Sequence, residues 1–118
     1  MFDFKKTHPL KKRKEESKRI RLKYPDRVPA IVQAMDIELS RQKYLVPRDL
    51  TVGQFLITLR KRIRVGEEEA LYIFLDNQTF PPVSQLLSSL DHIHRDEDGF
   101  LYFILCKEHV FGSSSQRK

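Results

Sequence analysis

The chain has 118 residues, a net charge of +6 and a single cysteine. That length supports one hydrophobic core and not two, and the lone Cys106 excludes an intramolecular disulfide and a cysteine-based zinc site. No run approaches the ~18 apolar residues of a membrane span and no apolar stretch follows the first charges, so the unmodified chain is expected to be soluble and not secreted.

The basicity belongs to the N-terminus. Residues 1–24 hold ten Lys or Arg against Asp3, Glu15 and Glu16, a net of +7, and the remainder carries −1. The spacing predicts a charge-rich helix over residues 5–24, anchored by Leu10, Ile20 and Leu22 and stopped by Pro25. Such an arm, residues 1–25, suits an anionic surface: nucleic acid, acidic lipid headgroups or an acidic protein surface such as a cytoskeletal polymer. The plainer alternative is a solvated helix face.

Val28, Ala30 and Val32 alternate with Pro29, Ile31 and Gln33 in the manner of a strand, and Tyr44, Leu45 and Val46 supply a second, closed by Pro47. Because proline cannot donate to a ladder, that second strand is expected at a sheet edge, where a partner can dock. Thr51 and Gln54 match a capping box, which contributes on the order of 1 kcal/mol at a helix start. Val52, Phe55, Leu56, Leu59 and Ile63 then follow at helical spacing, predicting an amphipathic helix from Thr51 to about Arg64 that ends before Gly66.

Residues 71–75 form an apolar run of strand length, broken by Asp76, Asn77 and the Pro81-Pro82 pair. Val83, Leu86, Leu87 and Leu90 mark a short amphipathic helix. An acidic turn at 96–99 leads into residues 100–106, the most strand-like segment of the chain, where Cys106 reads as core filling. The order strand, strand, helix, strand, short helix, strand, with the last strand central beside the first, is an α+β ubiquitin-like β-grasp with an N-terminal helical extension. Burial of Phe55, Leu59, Ile73, Leu75, Leu101 and Phe103, each contributing roughly 1.5–3 kcal/mol, makes its core credible. The core is read as residues 26–110 and a polar tail as 111–118.

The histidines do not suggest an enzyme. His92 and His94 are read in an acidic loop, His8 and His109 lie near the ends, and no partner completes a metal site or a nucleophile pair. No phosphate-binding glycine loop is present.

Residues 13–29, the block 43–62 with Lys43-Tyr44-Leu45-Val46-Pro47 and Asp49-Leu50-Thr51-Val52-Gly53-Gln54-Phe55, the Pro81-Pro82 pair, Asp98-Gly99-Phe100-Leu101-Tyr102 and the ending Phe111-Gly112 resemble the ubiquitin-like autophagy modifiers of the GABARAP type. The resemblance covers nearly the whole chain. It implies cutting by a cysteine protease after Gly112, passage as thioesters over activating and conjugating enzymes, and joining of Gly112 to phosphatidylethanolamine on autophagic membranes. The protein would be cytoplasmic first and held at the autophagosome after lipidation, with no cofactor beyond that covalent lipid. Glycine suits this chemistry because a carbonyl without a neighbouring Cβ admits a close nucleophile.

The resemblance also implies docking of aromatic-x-x-aliphatic peptides from cargo receptors as a strand beside residues 43–47. Ile20, Pro29, Leu45 and Phe100 would line the aromatic pocket with Lys43 at its edge, and Val46, Pro47, Leu50 and Phe55 the aliphatic one, with Tyr44 in the docking strand. Arg27, Lys43 and Arg62 would meet acidic flanking residues. Microtubules are a candidate partner for the arm, and nucleic acid is not. Three features depart from the family pattern: a short stretch between Ile31 and Lys43, Thr58 where an aliphatic residue usually stands, and six residues after Gly112, which would make processing obligatory. The competing reading is an unconjugated β-grasp scaffold whose arm binds an anionic polymer.

Overall fold

Eight elements follow one another in the computed structural model, which describes residues 2–66 and 68–107. They are α1 (Asp3–Thr7), α2 (Leu10–Lys23), β1 (Arg27–Ala34), β2 (Lys43–Pro47), α3 (Val52–Arg60), β3 (Leu71–Leu75), α4 (Leu87–His94) and β4 (Leu101–Lys107). The strands form one sheet in the order β2-β1-β4-β3; β1 runs parallel to β4, and the outer pairs are antiparallel. This is the expected β-grasp.

Helices cover both faces of the sheet. Val28, Ala30, Val32, Tyr44, Val46, Ile73, Leu101 and Phe103 share a core with Val52, Phe55 and Leu59 of α3. On the opposite face Ile31, Phe100 and Tyr102 pack with Phe2, Phe4 and Ile20. The central strand β1 is therefore buried without interruption from Val28 to Val32, because both of its faces are covered.

The arm differs from its expectation in three ways. It is two helices, since Pro9, which disfavours helical backbone at the residue before it, caps α2 and ends α1 at Thr7. Of the expected anchors only Ile20 packs inward; Leu10 and Leu22 are 36% and 76% exposed, and Phe2 and Phe4 take their place. Polar side chains complete the attachment. Arg13, Ser17 and Arg21, spaced four apart on one face of α2, all reach the segment around Asp98 and Gly99.

Thr51 and Gln54 form the capping box in full: Gln54 N donates to Thr51 Oγ1 at 3.1 Å and Thr51 N to Gln54 Oε1 at 2.9 Å. The helix nevertheless stops at Arg60, earlier than expected. Arg62 N bonds Leu59 O at 2.9 Å, tightening the last turn so that Ile63 and Val65 fold back onto the core, and Gly66 lies beyond the helix end. α4 likewise begins at Leu87 and not at Val83, because Leu86 is extended in a bridge to Thr51. His92 and His94 consequently lie on α4, not in a loop.

Candidate functional site

β2 is an edge strand, so half of its backbone groups have no neighbouring strand. Val32 N donates to Gln42 O at 2.9 Å, and this register makes Ala30–Tyr44 and Val28–Val46 the hydrogen-bonded pairs of the ladder. Lys43 and Leu45 lie opposite Ile31 and Pro29 in the intervening pairs, with their N–H and C=O groups directed away from the sheet. They present the open rim on which a peptide strand can add.

Beside this rim lies a cleft of about 350 Å3 between α2 and β2. Ile20, Pro29, Leu45 and Phe100, predicted to line one pocket, all line it, with Lys43 at its margin. Their exposure assigns different roles: Phe100, 1% exposed, is a floor, while Leu45, 38% exposed, is a wall that a ligand can cover. Lys43 Nζ is held 2.6 Å from Glu16 Oε2 of α2, an ion pair across the cleft mouth. Arg62 lies with its guanidinium 5.9 Å from the Tyr44 ring centre, and Arg27 Nη1 donates to Leu45 O at 3.2 Å.

The residues predicted for the second pocket do not form one exposed group. Val46 and Phe55 are 3% and 1% exposed and belong to the core, where Phe55 meets Tyr44 edge-on and Phe103 at a tilt. The strand alternation decides this, because Val46 and Tyr44 point to the α3 side while Lys43, Leu45 and Pro47 point to the α2 side. Pro47 and Leu50 are half-buried and Thr58 is exposed. The Thr58 hydroxyl donates to Gln54 O at 3.1 Å, so its polarity already has a partner. The Tyr44 hydroxyl, buried beside the cleft, has no hydrogen-bond partner among the described residues; burial pushes its pKa up against the opposing charges of Arg62 and Arg41.

Sequence reasoning missed Glu16 and Arg41, which also line the cleft, and the carboxylate that holds its walls together. Asp98 is buried; Arg13 Nε donates to it at 3.1 Å, Tyr102 Oη at 2.5 Å and Phe100 N at 2.8 Å. Ser17 Oγ donates to the Asp98 carbonyl at 2.5 Å. Asp98 thus ties α2, which carries Ile20, to the backbone of Phe100, the cleft floor. Burial raises its pKa despite these donors, and burial followed by the Asp98 hydrogen bond raises that of Tyr102. Gly99 makes the close approach possible: its φ is +93°, and a Cβ there would lie 2.2 Å from Ser17 Oγ. The four-residue spacing of Arg13, Ser17 and Arg21 was the available signal. Phe111 and Gly112, the predicted processing position, lie outside the described residues.

A β-grasp sheet with a docked helical arm and an open edge strand beside a cleft defines a ubiquitin-like protein. The family described as "Autophagy protein Atg8 ubiquitin like" matches residues 12–112. Over 114 residues the chain is 50% identical to autophagy-related protein 8a of Arabidopsis thaliana, covering 93% of each. It is also 50% identical over 115 residues to autophagy-related protein 8 of Gibberella zeae, covering 94% of this chain and 97% of that one. The crystal structure of Trypanosoma brucei ATG8 matches with a TM-score of 0.86 at 38% identity, over 92% of this chain and 96% of the other. The chain belongs to the Atg8 family. It is a ubiquitin-like modifier of autophagy and not an enzyme, in a family that works with the autophagy machinery at membranes.

Proposed function

We propose that this modifier is cut after Gly112 by a cysteine protease, passed through activating and conjugating enzymes, joined to phosphatidylethanolamine on autophagosomal membranes, and docked there by aromatic-x-x-aliphatic peptides of cargo receptors. The observation that carries the docking half is the cleft of Ile20, Pro29, Leu45 and Phe100 set directly against the outward-facing backbone of Lys43 and Leu45. An aromatic side chain fits the apolar part of a cleft of this size, formed by Ile20, Pro29, Leu45 and Phe100, while its own backbone pairs with the rim. For the aliphatic residue, Pro47 and Leu50, half-buried, and Thr58, exposed, are the positions of the second pocket that a ligand can reach, while Val46 and Phe55 are buried in the core.

The processing half is supported by the family match, which runs to Gly112 and leaves six residues beyond it. A diacyl lipid suits stable anchoring, since each buried CH₂ contributes about 0.8 kcal/mol and one short chain binds only marginally. Incubation of the full chain with cell extract and phosphatidylethanolamine membranes, followed by intact-mass measurement, tests it. The expected product lacks residues 113–118 and gains one lipid at Gly112; an unchanged mass, where a related modifier is processed, leaves the unconjugated scaffold.

The exposed lysines of α2, among them Lys11, Lys12, Lys14 and Lys18, support a compatible second reading in which the arm binds an anionic polymer such as the microtubule. Pelleting that falls steeply with added salt is the expected result.

A further inference from the structure

A second cleft, of about 770 Å3, lies at the end of the sheet where β4 stops. One wall is the loop between β1 and β2, with Ile37 and Leu39; the other is the turn after α3, with Ile63 between Arg62 and Arg64. The three apolar side chains are half-buried against the core and still line the cleft, while both arginines are exposed. Lys107 lines it too, and the loop holds that residue in place. Lys107 N donates to Asp36 Oδ1 at 3.0 Å, and Met35 N donates to Leu105 O at 2.9 Å. The chain therefore leaves β4 inside this cleft, and Glu108-His109-Val110-Phe111-Gly112 follows directly.

We propose that this cleft is the seat of residues 108–112 in the unprocessed chain, with Val110 and Phe111 against Ile37, Leu39 and Ile63, so that the bond after Gly112 is withheld from the protease until the segment lifts out. The inference rests on the processing reading and assigns a regulation to its cut. The segment starts at the cleft: four residues span up to ~14 Å when extended, so Phe111 can reach the walls from Lys107. Val110 and Phe111 are the apolar pair of an otherwise polar ending, and Ile37, Leu39 and Ile63 are the surface that would cover them. Arg62 and Arg64 give the α3 wall a positive rim for Glu108, the one acidic side chain of the segment. A tethered segment also has an effective concentration at its own exit that a separate ligand lacks. Ordering five residues opposes the burial of two side chains, which keeps the seat reversible. A protease that must draw the residues around the cut into its own site then binds only the fraction of chains whose segment is out.

Carbon-13 methyl spectra of the full chain and of its Phe111→Ser variant, each at two protein concentrations, test the seat without any protease. Loss of the ring should move the methyl resonances of Ile37, Leu39 and Ile63, leave those of Leu45 in place, and do so equally at both concentrations. Unmoved cleft methyls overturn the seat. Shifts that grow with concentration overturn it in favour of a segment held by a second copy. The consequence is read from the rate at which cell extract removes residues 113–118. Leu39→Glu places a charge on the apolar wall and should speed removal about three- to ten-fold, as the fraction of chains with an accessible Gly112 rises. Arg64→Glu, on an exposed side chain that a folding defect would not explain, sets a like charge against Glu108 and should speed it about two-fold. Rates equal to wild type in both variants overturn the withholding of the cut even where the methyls have moved. If neither variant nor wild type is cut while a related modifier is, the processing reading fails instead, and the methyl comparison alone decides the seat.

Discussion

Leu45 and Phe100 line the same cleft and call for opposite experimental treatment. Leu45 is 38% exposed, so Leu45→Arg should place a charge where a peptide aromatic would lie and weaken binding at least ten-fold, while stability stays within about 0.5 kcal/mol, as for other surface changes. Parallel peptide titration and urea unfolding check this. Phe100 is 1% exposed, and its truncation would cost about 3–5 kcal/mol of stability, confounding any binding result. Thr58 offers the converse test. Because its hydroxyl already bonds Gln54 O, Thr58→Leu adds apolar surface without stranding a donor. It should strengthen binding of peptides with a large aliphatic residue by about 1 kcal/mol, measured by calorimetry. Gly99→Ala combines a left-handed backbone with a clash on Ser17 and should destabilise the fold by roughly 2 kcal/mol or more in the same urea experiment.

Among the elements, α2 has the least apolar attachment and the most ionic one. Its Arg21 makes paired hydrogen bonds to the buried Asp91 of α4 at 2.7 and 2.9 Å, and Arg95 adds another at 2.8 Å. Burial raises the Asp91 pKa, but these hydrogen bonds and charges outweigh it, and the net direction is downward. A carboxyl whose folded pKa is depressed stabilises fully above its unfolded value of about 4, and that contribution is lost as pH falls through the folded value. Asp98, with a raised pKa, has the opposite sign: its contribution to stability declines as pH rises from the unfolded value to the folded one. Asp91→Asn should therefore cost about 2 kcal/mol at pH 7. The gap to wild type should narrow below about pH 4, where the unfolded chain takes up a proton that the folded carboxylate resists until pH passes its own lower value. Urea unfolding across pH 2–7 reads both; a pH-independent difference would show that the ion pair is not the clasp. A variant with a loosened α2 should also lose peptide affinity, because Ile20 lies on that helix.

For the whole molecule, the two proposed activities lie apart in the chain and should separate by mutation. Gly112→Ala should keep full peptide affinity, because no residue of the cleft is altered, yet fail to gain lipid mass in the membrane incubation. Simultaneous loss of both would contradict a division between a docking body and a conjugated end.

The alternating Tyr44-Leu45-Val46 before a proline, the Thr51–Gln54 box with its apolar stripe, and the long apolar run at 100–106 were enough to predict an edge strand, a capped helix, a central strand and hence the β-grasp. These signals are local: proline lacks an amide hydrogen, a capping box closes within four residues, and β-branched and aromatic residues favour pleated backbone. Tertiary structure decided what those rules do not carry. It ended α3 at Arg60 so that Ile63 could return to the core, turned Val46 and Phe55 inward while leaving Leu45 outward, and replaced Leu10 and Leu22 by Phe2 and Phe4 as anchors. It also brought Arg13 and Ser17 to Asp98, and Arg27 to Leu45. Those contacts join residues far apart in sequence, and their direction depends on which face each strand and helix presents after packing, a quantity that no local pattern contains.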